Sequence, residues 1–143
     1  MDHRIVDLHV HSTESDGTLT PEDLVAEAKK VGLAAFALTD HDTCQGVCKA
    51  MPCAASAGIE LIPGIELSTD YHGKEVHIVG LYIDMENEQL LKKTAEYRKC
   101  RSERNALMVE ALQKEGLSIT MEELVAENPD CVITRANIAT FPV

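Results

Sequence analysis

Apolar positions change period along the chain, with short β-branched runs giving way to amphipathic stretches and back again. The run Ile5 to Val10 predicts a strand that ends in a polar segment, His11 to Gly17. Thr20-Pro21-Glu22-Asp23 predicts a helix start, with Thr20 as N-cap, Pro21 at the first helical position and Asp23 supporting a capping box. That helix should run to about Val31, with Gly32 as its C′ residue, before a buried strand from Ala34 to Leu38. A second helix is expected from about Thr43 to Ala57, broken or kinked by Pro52 and closed by Gly58. Ile59 to Ile62 reads as the third strand. After Pro63-Gly64, the segment Ile65 to Thr69 and the strand Glu75 to Ile83 flank a turn at Tyr71-His72-Gly73-Lys74 and predict a hairpin. A long charged helix follows from about Glu86 to Glu115, ending at Gly116; a shorter one covers about Met121 to Glu127, and the tail starts another at Thr134.

Alternating strands and helices predict an α/β fold with a parallel sheet, whose chemical groups collect at the C-terminal strand ends. Three successive strand ends carry side chains able to hold a metal: His9 with His11, Asp40 with His41, and Glu66. His9 and His11 are two apart on a strand, so both imidazoles share a face and can ligate one ion. Asp7 shares that face and could accept a ring N–H, which would fix the ligating tautomer. Asp16, taken alone, is a turn residue before glycine. Asp40-His41-Asp42 directly follow an apolar run, and His41 reads as a ligand, whereas Asp42 or Thr43 could equally cap the next helix. Glu66 interrupts an apolar context in which a carboxylate is costly to bury unless paired or coordinated, so a bridging ligand is the economical explanation. His77, inside an apolar strand, reads by itself as a satisfied core histidine, and His3 and His72 read as terminal and turn residues.

Composition narrows the chemistry. The 143 residues, 45% hydrophobic, suffice for one domain with a core. A net charge of -11, from 24 acidic against 13 basic residues, argues against a duplex nucleic acid partner. It is compatible with small phosphorylated substrates if bound divalent cations supply the positive charge. No apolar run approaches the roughly 18 residues of a membrane span, and Met1-Asp2-His3-Arg4 lacks a signal-peptide core, so no membrane association and a cytoplasmic location are expected. The five cysteines form no CxxC pair and are expected as reduced thiols. Neither a Gly-x-Ser-x-Gly elbow nor a phosphate-binding glycine loop occurs.

Asp7-Leu8-His9-Val10-His11-Ser12 with Asp16-Gly17, Leu38-Thr39-Asp40-His41-Asp42, Ile62-Pro63-Gly64-Ile65-Glu66-Leu67 and His77-Ile78-Val79-Gly80 together resemble, in order, the polymerase and histidinol phosphatase (PHP) superfamily. The likeness is greatest to its stand-alone bacterial branch of nucleoside 3′,5′-bisphosphate phosphatases and 5′ to 3′ exoribonucleases. It implies a distorted (β/α)7 barrel, of which residues 1–84 would form the N-terminal half and residues 85–143 a helical insertion. It implies two or three divalent ions, Mn, Fe or Zn: His9 and His11 on one, Glu66 bridging to a second held by His77, and Asp16 with His41 on a third. Asp40 and His41 are the catalytic candidates, Asp40 acting from behind the ligands. Arg104 and Arg135, with Arg98 and Arg101, are candidates to receive a phosphate.

Two departures from the family pattern stand out. Asn137 occupies a position where the branch usually has His, and the later His-Pro and Asp-x-His motifs are absent. A closed barrel takes about 250 residues, so the chain is expected to be a truncated product or fragment whose open strand edges favour a homo-oligomer. The implied activity is metal-dependent hydrolysis of phosphate esters of small nucleotides or short oligonucleotides. The alternatives are a catalytically incomplete metal-binding or interaction module, and a histidinol-phosphatase-like enzyme.

Overall fold

The structure is a computed structural model and describes residues 5–142, so the expectations for Met1 to Arg4, His3 among them, lie outside the described residues. In chain order the elements are β1 (Val6–Val10), α1 (Pro21–Lys30), β2 (Ala35–Leu38), α2 (Gln45–Ala57), β3 (Glu60–Tyr71), β4 (Lys74–Leu81), α3 (Glu88–Lys114), α4 (Met121–Glu127) and α5 (Arg135–Thr140). β1, β2 and β3 are parallel neighbours and β4 returns antiparallel on β3, giving the sheet order β1-β2-β3-β4. The α/β architecture read from the sequence is present, as an open arc of four strands with β1 and β4 outermost.

Local signals position the helices as expected. The Thr20 side chain accepts the Asp23 N–H at the head of α1, and its hydroxyl donates to the Asp23 carboxylate at 2.8 Å. Val25 and Ala28 of α1 and Val47, Ala50 and Ala54 of α2 bury against Phe36, Leu38 and Leu61 of the sheet. Ala35, Ala37 and Ile62 form a smaller cluster of their own. β2 is therefore buried on both faces, as a central parallel strand is. A further apolar cluster joins Val109 of α3 to Ile119, Leu124 of α4 and Ile138 of α5. Thr120 and Thr134 head α4 and α5 with complete capping boxes. No helix among the described residues is long and apolar enough to cross a membrane.

Two expectations are corrected. Pro52 does not break α2, which runs through it: the proline lies on the exposed face, and the Cys48 carbonyl that loses its helical donor belongs to an exposed residue that water can reach. β3 is one continuous strand of 12 residues rather than two segments separated at Pro63-Gly64. It pairs with β2 as far as Leu38↔Pro63 and with β4 from Gly64↔Leu81 onward. Pro63 sits at this exchange of partners, where a missing N–H is tolerated, and its carbonyl still accepts from the Ile83 N–H at 3.2 Å.

Candidate metal centre

β1 delivers His9, and His11 follows just past its end, at the start of a tight loop. The Ser12 carbonyl folds that loop by accepting N–H bonds from Ser15 at 3.1 Å and Gly17 at 2.9 Å. Gly17 is required there, because a Cβ would lie 2.1 Å from the His11 carbonyl oxygen. Asp40, just past β2 and 1% exposed, is fully occupied with the same loop. Its Oδ1 accepts from the Ser12 N–H at 2.7 Å and the Ser15 hydroxyl at 2.8 Å, and its Oδ2 accepts from the Ser12 hydroxyl at 2.7 Å. The Glu66 N–H donates to the Asp40 carbonyl at 3.2 Å and the Asp42 N–H to the Glu66 carbonyl at 3.0 Å. These two bonds make a parallel bridge that sets His41 directly beside Glu66.

Four imidazoles thereby surround one buried carboxylate. Glu66 Oε2 lies 2.7 Å from His9 Nε2, 3.0 Å from His11 Nε2 and 3.9 Å from His41 Nδ1, while Oε1 lies 2.7 Å from His77 Nδ1. Asp16 adds a second carboxylate, 3.3 Å from His11 Nδ1 and 3.4 Å from His41 Nε2. Successive ring centroids from His9 through His11 and His41 to His77 are 5.1, 4.8 and 5.1 Å apart. Three overlapping groups could each hold an ion: His9, His11 and Glu66; His11, Asp16 and His41; His41, Glu66 and His77. Within each group the candidate ligand atoms lie within 4.8 Å of one another.

The donor set fits divalent cations. His41 Nδ1 is buried with no hydrogen-bond partner, a deficit that costs about 1–3 kcal/mol and that a cation would relieve. Burial lowers the His11 pKa against the pull of Asp16, favouring the neutral imidazole a metal needs. Burial works against ionisation of Asp16, but the His41 hydrogen bond and the charges of His41 and His11 outweigh it and hold the carboxyl at about 2. Glu66 is likewise held below the usual carboxylate range, burial being outweighed by His9, His41 and His77.

Other candidate residues sit elsewhere or do other work. Asp7 accepts the His9 backbone N–H at 3.2 Å rather than a ring N–H. Asp42 caps no helix: α2 begins after Cys44, which makes no side-chain cap, and the Thr43 hydroxyl accepts the Gln45 N–H. Instead Asp42, fully buried with φ 54°, accepts from the Ser68 N–H through Oδ1 and from Arg101 Nε and Nη2 through Oδ2. Arg98 donates to the Asp42 carbonyl at 2.8 Å. Arg98 and Arg101 therefore clamp the segment after His41, Arg98 through one N–H onto the Asp42 carbonyl and Arg101 through Nε and Nη2 onto Asp42 and Ser68. Arg104 and Arg135 do line a small cavity with His41, His77 and Asp16. Asn137 completes the α5 capping box, and its amide also reaches the Ser15 carbonyl at 3.4 Å. His72 occupies the β3–β4 turn with φ 54°.

Glu75 escaped the sequence reading. Its Oε1 lies 3.0 Å from His77 Nε2 and 3.8 Å from Arg104 Nη1, and its Oε2 accepts from Arg135. The His77 hydrogen bond, then Arg135, holds its carboxyl at about 2, and Glu75 in turn raises the His77 pKa. A local signal existed, since Glu75 precedes His77 by two positions on one strand and so shares its face.

Comparison with known proteins accords with this geometry. The family model for the PHP domain matches residues 7–127. The 5′-3′ exoribonucleases of Haemophilus influenzae and Escherichia coli are 38% and 37% identical over 96% and 97% of this chain, which are 50% and 48% of their own lengths. The 3′,5′-nucleoside bisphosphate phosphatase of Chromobacterium violaceum is 36% identical over 94% of this chain and 47% of its own. Among solved structures, an amidohydrolase from Chromobacterium violaceum with bound sulfate and no metal superposes with a TM-score of 0.85 at 35% identity, covering 94% of this chain and 48% of that one. A Bifidobacterium adolescentis protein described as a metal-dependent phosphoesterase gives 0.87 at 34% identity, covering 95% and 48%. The chain spans about half the length of the curated relatives it matches. With the family model covering most of its residues, the chain belongs to the PHP domain family.

Proposed function

We propose that this chain supplies the His- and carboxylate-rich part of a phosphoesterase site that hydrolyses phosphate esters of small nucleotides or short oligonucleotides with two or three Mn, Fe or Zn ions. The observation carrying this reading is Glu66, whose two carboxylate oxygens face different imidazole groups, His9 with His11 on one side and His77 on the other. That is the arrangement a bridging ligand requires. Imidazoles mixed with carboxylates suit these metals better than Mg or Ca. Divalent ions, when bound, polarise phosphoryl oxygens and acidify water toward a pKa of about 7.

The chain's own residues would orient and neutralise. His9, His11, Asp16, His41, Glu66 and His77 would hold the ions, and Asp40 would act as a positioning residue by fixing the His11 to Asp16 loop. Arg104 and Arg135 would meet phosphate charge at the rim, where Glu75 now occupies Arg135. Relatives whose names state action on RNA and on nucleoside bisphosphates support the substrate class.

Elemental analysis after purification, with hydrolysis of a nucleoside 3′,5′-bisphosphate followed with and without added Mn, tests the reading. Glu66→Gln should lose bound metal and turnover together; retained activity would refute the bridging role. The His9 side chain is half exposed, so its group is the most open of the three and could accept a ligand from elsewhere. Metal binding without turnover would favour that second reading, a metal-binding unit needing further ligands. The outer strands also expose Val6, Leu8, Ile78 and Val79, surfaces that pairing between copies would cover, and light scattering at micromolar concentration should show a homo-oligomer.

A further inference from the structure

Helix α3 and the β3–β4 hairpin flank a second, open cavity of about 300 Å³. It adjoins the smaller cavity, about 100 Å³, that is flanked by Asp16, His41 and His77. Glu75, Arg101, Arg104 and Arg135 line both, so the two form one path leading away from the imidazole ring. The shared wall is cationic, with three guanidinium groups against one carboxylate. Arg101 is committed to Asp42 and Ser68, and Arg135 to Glu75. Arg104 differs: its Nε–H is buried without an acceptor. Past the arginines the lining changes to Tyr97, half-buried on α3, with Cys100 and Asp70 beside it. Tyr97 is the aromatic side chain of this cavity; Phe36 lies in the core, and Tyr71 and Tyr82 are exposed elsewhere.

We propose that this cavity receives the nucleoside part of a nucleoside phosphate, the base stacking on Tyr97 while the phosphate faces Arg104 and the imidazole cluster. The proposal rests on the phosphoesterase reading and adds to it the recognition of a base. A cavity of this size matches small-molecule sites, which combine an apolar or aromatic wall with a few convergent polar groups. Every base presents a π-face, so an aromatic platform recognises nucleotides with little regard to sequence. A sugar phosphate would reach the arginines but leave Tyr97 without a partner. Histidinol phosphate would offer Tyr97 an imidazole, a smaller π-face than a purine, and should bind more weakly than the nucleotide.

Calorimetry on the full chain with Mn, comparing adenosine 5′-monophosphate with ribose 5-phosphate and histidinol phosphate, tests the assignment. The nucleotide should bind roughly ten- to a hundred-fold more tightly than ribose 5-phosphate, the range that stacking of one base supports. Tyr97→Ala should erase that advantage without changing ribose 5-phosphate binding, and Tyr97→Phe should retain it. A second measurement needs no variant: Cys100 is exposed and lines the cavity, so its alkylation should be slowed by the nucleotide and not by ribose 5-phosphate, with exposed Cys48 on α2 unaffected. Equal binding of nucleotide and ribose 5-phosphate would overturn the base subsite and leave the phosphate reading standing. Histidinol phosphate binding as tightly as the nucleotide would also overturn it. If metal binds and none of the three ligands does, both readings fall.

Discussion

Helices α1 and α2 meet the sheet through aliphatic and aromatic side chains, Val25, Val47, Ala50 and Ala54 against Phe36, Leu38 and Leu61. Helix α3 meets it differently. Of its buried residues, Thr94, Arg101, Asn105 and Val109, only the last is aliphatic, and its arginines reach Asp42 after β2, Ser68 of β3 and Glu75 of β4. Apolar burial is non-directional and would hold α1 and α2 with or without a site. A guanidinium on a buried carboxylate is directional, so α3 is held where it is by the residue immediately after His41. The helix that carries Arg104 and Tyr97 is thus registered against the imidazole ring by polar contacts, whereas the sheet beneath is stabilised independently of it.

The largest test of this contrast is Phe36→Ala, which should cost about 3–5 kcal/mol and lower the urea midpoint of the whole protein in one transition. Arg101→Met, which leaves the Asp42 carboxylate buried beside only the Ser68 N–H, should cost about 3 kcal/mol. Its signature should be local: hydrogen exchange should speed up in α3 while amides of β2 and α1 stay protected. Uniform loss of protection would mean that the two regions are not held separately. Asn137→Ala removes the reciprocal half of the α5 capping box and the link to the Ser15 carbonyl, and should cost about 1 kcal/mol, read as a melting temperature roughly 3–5 °C lower.

The smallest effect concerns a pair between half-exposed Lys49 and buried Glu14. Lys49 donates to Glu14 at 2.6 Å, and that hydrogen bond raises the Lys49 pKa above 10.5. The pair's contribution is therefore fully present below pH 10.5 and disappears as the pH rises through the raised folded value. Because the lysine is about half exposed, the contribution is well under about 1 kcal/mol. The stability difference between the protein and Lys49→Met should vanish in strongly alkaline buffer and persist at pH 7.

Much of the site could be read before any coordinates. His9, His11, His41 and Glu66 stood out because a polar residue at the end of an apolar run is conspicuous, and the structure gathers them with Asp16 and His77. Glu75 was overlooked because a glutamate at the start of a hairpin strand is ordinary by composition. Pro52 misled because a helix interior normally needs every N–H, and sequence did not reveal that this turn faced water. The contacts of Arg98 and Arg101 could not be foreseen from the helix itself, because their partner Asp42 lies 56 and 59 positions away in the chain.

The chain's own pattern determined the order of strands and helices, the caps at Thr20, Thr120 and Thr134, and which residue types crowd the strand ends. Those features depend on backbone periodicity and on hydrogen bonds a few residues long, so they are written locally. Only the tertiary structure decided that Asp42 meets Arg101 across 59 positions and that Glu75 meets Arg135 across 60. It likewise decided that Tyr97 borders a cavity next to the imidazoles. Such pairings depend on how the sheet twists and where α3 docks, a geometry that no stretch of neighbouring residues encodes.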